Sequence, residues 1–516
     1  MRETKRRERE MHDPPKEKSI RDIIKGNLFV FGLISGIWFI LRTGRKPSRA
    51  TYPCQQAALF NTNIWIASYV LPVIMATEKI PTFIQDRKKI VAIIGIIAFV
   101  TGAGGYNWYL NQSVTGQSIE QAITDYGLTL DARTASLFPV SDIFVITGTN
   151  GADDGVKALI SNMGEQSLLF YKSQSSGRNK GPNGLISSND VIIIKVNCQW
   201  DERGGTNTDL LKSIIQAIIE HPDGFTGEII VSDNGQGENR GSLNLGGSFT
   251  YLENNALNPA QSIQNVVDSF PESNKVSTYL WSDITETRVY EYSMGDFDDG
   301  YVVNTTVNPR TGIMVSYAKF KTKYGTYVSF KNGVYDSTNN TYDSERLKVI
   351  NLSMLKSHSA YGVSASIKNY MGVPSDVITS EISGRSLATH STIGRGGLGT
   401  LMVETRYPIL NIIDAIWINA VPGNGPWTPY ESATETNIIT ASTDPVALDY
   451  WSVKYILHQA WQLRTNTNSE SMDPDNTTFG FFGNWLRLSM DELIRGGYQV
   501  NIDEEHMNVY LYQMSQ

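Results

Sequence analysis

Between Lys348 and Val373 the chain reads KVINLSMLKSHSAYGVSASIKNYMGV. Val349-Ile350-Asn351-Leu352 is an apolar run suited to a short buried strand. Lys356 and His358 follow it, and a small-residue segment then leads to Lys368, Asn369 and Gly372. In open α/β sheets, ligands bind just past the carboxyl ends of strands. Lysine and neutral histidine are costly to bury for packing alone. The pattern therefore predicts a site in which Lys356 and Lys368 hold an anion and His358 moves protons. The plainer alternative is a solvated loop with a hydrogen-bonded histidine.

Other residues converge on the same edge if the strands lie side by side. Asp190 to Asn197 (DVIIIKVN) is a continuous apolar run suited to a buried parallel strand, and it ends in Lys195 and Asn197. Asp209 is placed to cap a helix over Leu210–Glu220, whose apolar residues repeat at helical spacing. Gly227 to Asp233 is the next strand, ending in Asp233 and Asn234. A right-handed crossover would bring both strand ends to one side of the sheet. Ile409–Ile418 carries Asp414 on a strand or short helix. Asp444 precedes Pro445 as a helix cap, and Asp449 lies one turn further with no such structural role.

This mixture of cations and carboxylates fits three readings. An enzyme could use the lysines on a small polar or anionic substrate, with His358 or an aspartate moving protons. Carboxylates and His358 could hold a hard divalent metal such as magnesium or manganese, since the ligand types permit it. A non-catalytic binding or structural module could use the charges as ion-pair networks. No G-x-S-x-G elbow or P-loop is present, and the glycines at Gly148 and Gly151 lack dinucleotide-binding spacing. The glycines from Gly394 to Gly399 read as a flexible turn beside Arg395.

The elements that must position these residues form an α/β fold. It is a largely parallel sheet with flanking helices and a β-rich insert, preceded by an N-terminal transmembrane helical region. The α/β domain is expected over 136–462, its insert over about 238–346, and a C-terminal extension over 463–516. Residues 1–25 form a charged cytoplasmic arm with nine Lys/Arg against six Asp/Glu. Residues 26–110 hold three apolar segments, giving two or three transmembrane helices and making the lipid bilayer a partner. Three crossings put the large domain outside the cytoplasm, and two would put it inside. Sequons at Asn111, Asn304, Asn339, Asn351 and Asn476 favour the outside, whereas the basic loop Arg42–Arg49 opposes it. The expectation is a membrane protein with an extracytoplasmic domain. A net charge of −8 argues against a nucleic-acid partner. Two cysteines, Cys54 and Cys198, cannot by themselves ligate an iron–sulfur cluster.

From about Asp142 to Tyr455 the chain resembles the domain of unknown function 362 family. The resemblance is carried by Ile194-Lys195-Val196-Asn197 with Thr208-Asp209, and by Ile350-Asn351-Leu352 with Lys356 and His358. Lys368-Asn369-Tyr370-Met371-Gly372, Ile413-Asp414-Ala415-Ile416 and Ser442 through Asp449 continue it in order. It implies an α/β domain and no established reaction. The ferredoxin-like cysteine motifs of many relatives are absent here. The stretch from Gly44 to Cys54 also looks like membrane-anchored members. The order of strand, polar loop, helix and second strand is similar to the nickel-dependent lactate racemase family. By analogy of fold this implies a racemase or isomerase, although the signature residues of that family are missing.

Overall fold

The computed structural model describes residue 62, residues 140–235 and residues 248–514. The charged arm, the membrane region, Cys54 and the basic loop 42–49 lie outside the described residues. Among the described residues, no helix is long and apolar enough to cross a membrane.

Nine strands build the central sheet: β1 (Ser141–Thr147), β2 (Val191–Lys195), β3 (Glu228–Asp233), β4 (Val276–Leu280), β5 (Leu347–His358), β6 (Gly362–Ser364), β7 (Leu410–Asn419), β8 (Thr434–Ser442) and β9 (Met507–Gln513). Their order is β9-β1-β8-β7-β5-β2-β3-β4, with β6 folded back on β5. The run β7-β5-β2-β3-β4 is parallel throughout. β8 is antiparallel to both its neighbours, and β9 pairs parallel with β1. The residues after 462 thus supply an edge strand to this sheet.

Both faces are covered, which is why the parallel strands read as unbroken apolar runs. Ile192, Ile194, Ile350 and Leu352 pack under α1 (Gly155–Glu165), α2 (Thr208–Ile219) and α3 (Ile263–Asp268). Val191, Ile193 and Val349 face the opposite layer. That layer holds α4 (Ser366–Asn369), α5 (Asp376–Ser383), α6 (Gly397–Glu404), α7 (Pro445–Ser452), α8 (Gln459–Thr465) and α9 (Phe482–Arg495). A π-helical stretch, Val453–His458, joins α7 to α8.

The expected β-rich insert contains a five-stranded antiparallel sheet between Gly300 and Asp343. It also contributes β4, which extends the central sheet.

Three local expectations change. Asn207, rather than Asp209, caps α2: its side chain accepts from the backbone N–H groups of Asp209 and Leu210. The short strand expected at Val349–Leu352 is the middle of a twelve-residue strand, so Lys356 and His358 stand on β5 itself. Packing on both faces and the hairpin to β6 hold this polar end extended. The glycines at 394–399 end one short helix, His390–Arg395, and open α6, rather than forming a flexible turn. Gly399 lets α6 approach the backbone of Ser489 on α9, where a Cβ would collide.

Candidate functional site

Lys195 ends β2, Asp233 ends β3 and Lys356 stands near the end of β5, on three adjacent parallel strands. The pairing of β5 with β7 breaks register between Met354 and Lys356. Such irregularities re-aim side chains at the rims of sheets. α4 then carries Lys368 and Asn369 over the same edge. With Asn197, Gln199 and Trp200 from the loop after β2, and with Ser364, Gly372 and Pro426, they line a narrow cleft. Its cavity volume is small, about 20 Å³, within an empty space of about 340 Å³ counted out to open solvent.

The floor of the cleft is a closed polar network. Lys195 Nζ lies 2.6 Å from Asp233 Oδ1 and donates to Val196 O at 2.8 Å and Asn369 Oδ1 at 3.2 Å. Its three donors are thus used. Asp233 Oδ2 accepts from Cys198 N at 3.0 Å. The Asn369 amide donates to Asn351 Oδ1 at 2.9 Å, and Asn351 donates to Asn411 Oδ1 at 2.9 Å. Asn351 is fully buried, so its sequon is closed to glycosylation in the folded chain. Gly372 lies against this floor: a Cβ there would collide with Asp233 Oδ1 and Lys195 Nζ.

The other two lysines are different. Lys356 is 1% exposed, and its Nζ donates to Gly204 O. Burial and the nearby Lys368 charge lower its pKa well below the usual lysine range, against the pull of Asp233 and Asp414. Lys368 is 7% exposed. Among the described residues its amine has no hydrogen-bond acceptor and no carboxylate partner; it lies over the Tyr361 ring, 5.7 Å from the centroid. Burial and the Lys195 charge lower its pKa to about 7.

His358 stands beside the cleft and does not line it. Its Nδ1 accepts from the N–H groups of Ala360 and Tyr361 at 3.1 and 3.3 Å, so the neutral ring carries its proton on Nε2. Burial, followed by the charges of Lys368, His390 and Lys356, lowers its pKa well below the ordinary value. The ring is therefore neutral at pH 7.

Four aspartates lie away from the cleft wall. Asp449 accepts from Ser366 N at 2.7 Å and Ile367 N at 2.9 Å, so it holds the N-terminus of α4 and acts on Lys368 by positioning its helix. Asp444 caps α7 and accepts from Ser141 Oγ and Asn501 N. Asp414 accepts from Asn207 N at 2.8 Å and Asn255 Nδ2 at 3.1 Å. Asp209 accepts from Leu257 N and Gln261 Nε2, tying that loop to α2. Burial raises Asp414 and Asp444 to about 6 and Asp449 to about 7. These are the shifts expected of carboxylates taken out of water.

Gln199, Trp200, Ser364 and Pro426 join the lining without having been singled out in the sequence. The one available signal for Gln199 and Trp200 was their place in the loop directly after β2. Asn197 Oδ1 and Trp200 Nε1 are buried without hydrogen-bond partners among the described residues. No group of three His, Cys, Asp or Glu side chains among the described residues is placed to hold a metal ion.

Residues 343–454 match the family model described as a domain of unknown function (DUF362). No curated protein and no solved structure matches the chain. The matched stretch contains Lys356, His358, Lys368, Asn369, Asp414, Asp444 and Asp449, and over these residues the chain is similar to the DUF362 family.

Proposed function

We propose that this cleft binds a small anionic substrate as the active site of an enzyme. The observation that carries the reading is an excess of buried lysines over carboxylates. Three lysines and one carboxylate line the cleft, and the carboxylate, Asp233, is paired with Lys195. Lys356 and Lys368 have no carboxylate partner among the described residues. Burying an unpaired ammonium is expensive, and a bound anion is the counter-charge that offsets it.

In this reading a bound acid group supplies the counter-charge that restores the ammonium form of Lys356, which burial and Lys368 otherwise disfavour. Lys368 faces the reacting end of the substrate, and His358 offers its Nε2 proton at the rim. The apolar segments within residues 26–110 support tethering of the domain to a bilayer, and the sequons at Asn304, Asn339 and Asn476 favour the extracytoplasmic side. Titration of the full-length protein with acetate, phosphate and pyruvate, followed by calorimetry, tests the binding. At least one anion should bind to wild type and be lost in Lys356→Ala at unchanged melting temperature. Binding of none would favour a non-catalytic membrane-tethered module.

A further inference from the structure

We propose that Lys368 is a nucleophilic amine that forms an imine with the carbonyl carbon of a small oxo-acid. The proposal rests on the anion-binding reading of the same cleft and adds a covalent step to it.

The argument starts from a comparison among the buried lysines. Lys195 is bound by Asp233, Val196 O and Asn369. Lys319, on the insert, lies 3.4 Å from Asp296 and 4.2 Å from the Tyr292 ring centroid. Lys356 donates to Gly204 O. Lys368 alone of these has neither a hydrogen-bond acceptor nor a carboxylate among the described residues, yet it lines a cleft that opens to solvent. An amine in that setting has no acceptor or carboxylate to stabilise its ammonium form, which favours the free amine. The pKa of about 7 fits, since it leaves a large share of free amine at neutral pH.

The helix that carries the amine is also firmly placed. Asp449 fixes the first two backbone N–H groups of α4, and Asn369, the next residue, is locked into the network beneath the cleft. Lys356 and Lys368 line the same narrow cleft, so one small molecule can reach both. A molecule with an acid group for Lys356 and a carbonyl for Lys368 is an oxo-acid.

The step balances without a co-reactant. The Nζ lone pair forms a bond to the carbonyl carbon, and the carbonyl π pair moves to oxygen. The proton lost from nitrogen ends on that oxygen, giving a carbinolamine. Loss of the hydroxyl with the second nitrogen proton releases water and leaves the imine. Nothing is oxidised or reduced.

Trapping tests it. Full-length protein is incubated with pyruvate, glyoxylate or 2-oxoglutarate and sodium cyanoborohydride, which reduces an imine to a stable secondary amine, and is then read by peptide mass spectrometry. The expected result is a single adduct on Lys368 that acetone, lacking the acid group, forms far less readily. Labelling should rise with pH to half its maximum near 7, well below surface lysines. It should vanish in Lys368→Arg, whose folding is checked by its melting temperature. Anion binding without an adduct on Lys368 would overturn the imine and leave the anion site standing. Equal labelling of Lys368 and surface lysines would also overturn it. Absence of both binding and labelling would overturn both readings.

Discussion

Replacing Lys368 with methionine should make the protein more stable and less able to bind an anion. Methionine keeps the length and apolar stem of the side chain and removes the charge. The sign follows from proton linkage. Folding lowers the Lys368 pKa from 10.5 to about 7, so between those values the unfolded chain holds a proton that the folded chain has released. Wild-type stability therefore rises with pH across that interval, and the full penalty applies below about 7. At about 1.36 kcal/mol per pH unit the penalty is ~5 kcal/mol, and contact with the Tyr361 ring could return ~1 kcal/mol of it. The variant should exceed wild type by about 4 kcal/mol near pH 7, with the gap closing toward pH 10. Urea unfolding of both proteins at about pH 7, 8.5 and 10 measures this. A variant less stable than wild type near neutrality, or a gap independent of pH, would refute the reasoning.

Two further substitutions probe the scaffold of the cleft, and a third serves as a control. Gly372→Ala drives a methyl into Asp233 and Lys195, and should cost ~3–5 kcal/mol by separating a buried ion pair. Gly394→Ala, where a Cβ meets nothing within 4 Å, should leave thermal unfolding almost unchanged; similar melting shifts in the two variants would contradict this account. Asp449→Asn leaves one of two buried N–H groups of α4 without its acceptor, at ~1–3 kcal/mol, and should weaken anion binding through Lys368. Because folding raises this carboxyl from 3.8 to about 7, its contribution is full below 3.8 and is lost as pH rises through about 7. The deficit of the variant should narrow over that range in pH-dependent unfolding.

Where the amino-acid pattern matched a repeating physical constraint, the architecture was legible. The run Val191–Lys195 is apolar at every position before its lysine, because helices cover both faces of a parallel sheet. The apolar stripe of α2 is equally plain. β4 was hidden because VSTYL carries polar residues and sits inside a stretch of turn-forming composition; its strand character comes from pairing with β3. The polar end of β5 was hidden for a related reason. Lys356-Ser357-His358 has no apolar alternation, and what keeps it extended is the hairpin to Gly362–Ser364.

The charged residues show why the types in a sequence cannot separate a ligand from a support. Lys195, Lys356 and Lys368 look alike in the chain and all fall at one sheet edge. Only the tertiary partners tell them apart: a carboxylate for the first, a carbonyl for the second, and neither for the third among the described residues. Asp444 and Asp449, five residues apart, divide in a similar way. Asp444 caps its own helix, a role that the following proline announces. Asp449 caps α4, a helix some eighty residues earlier in the chain, and nothing local to it could reveal that partner. A long-range cap of this kind is a strong constraint on function. It ties the helix bearing the free amine to α7 of the same layer, so the backbone that carries Lys368 can shift only if a buried carboxylate gives up two hydrogen bonds. The helix that presents the amine is held in place by groups that need not touch the substrate.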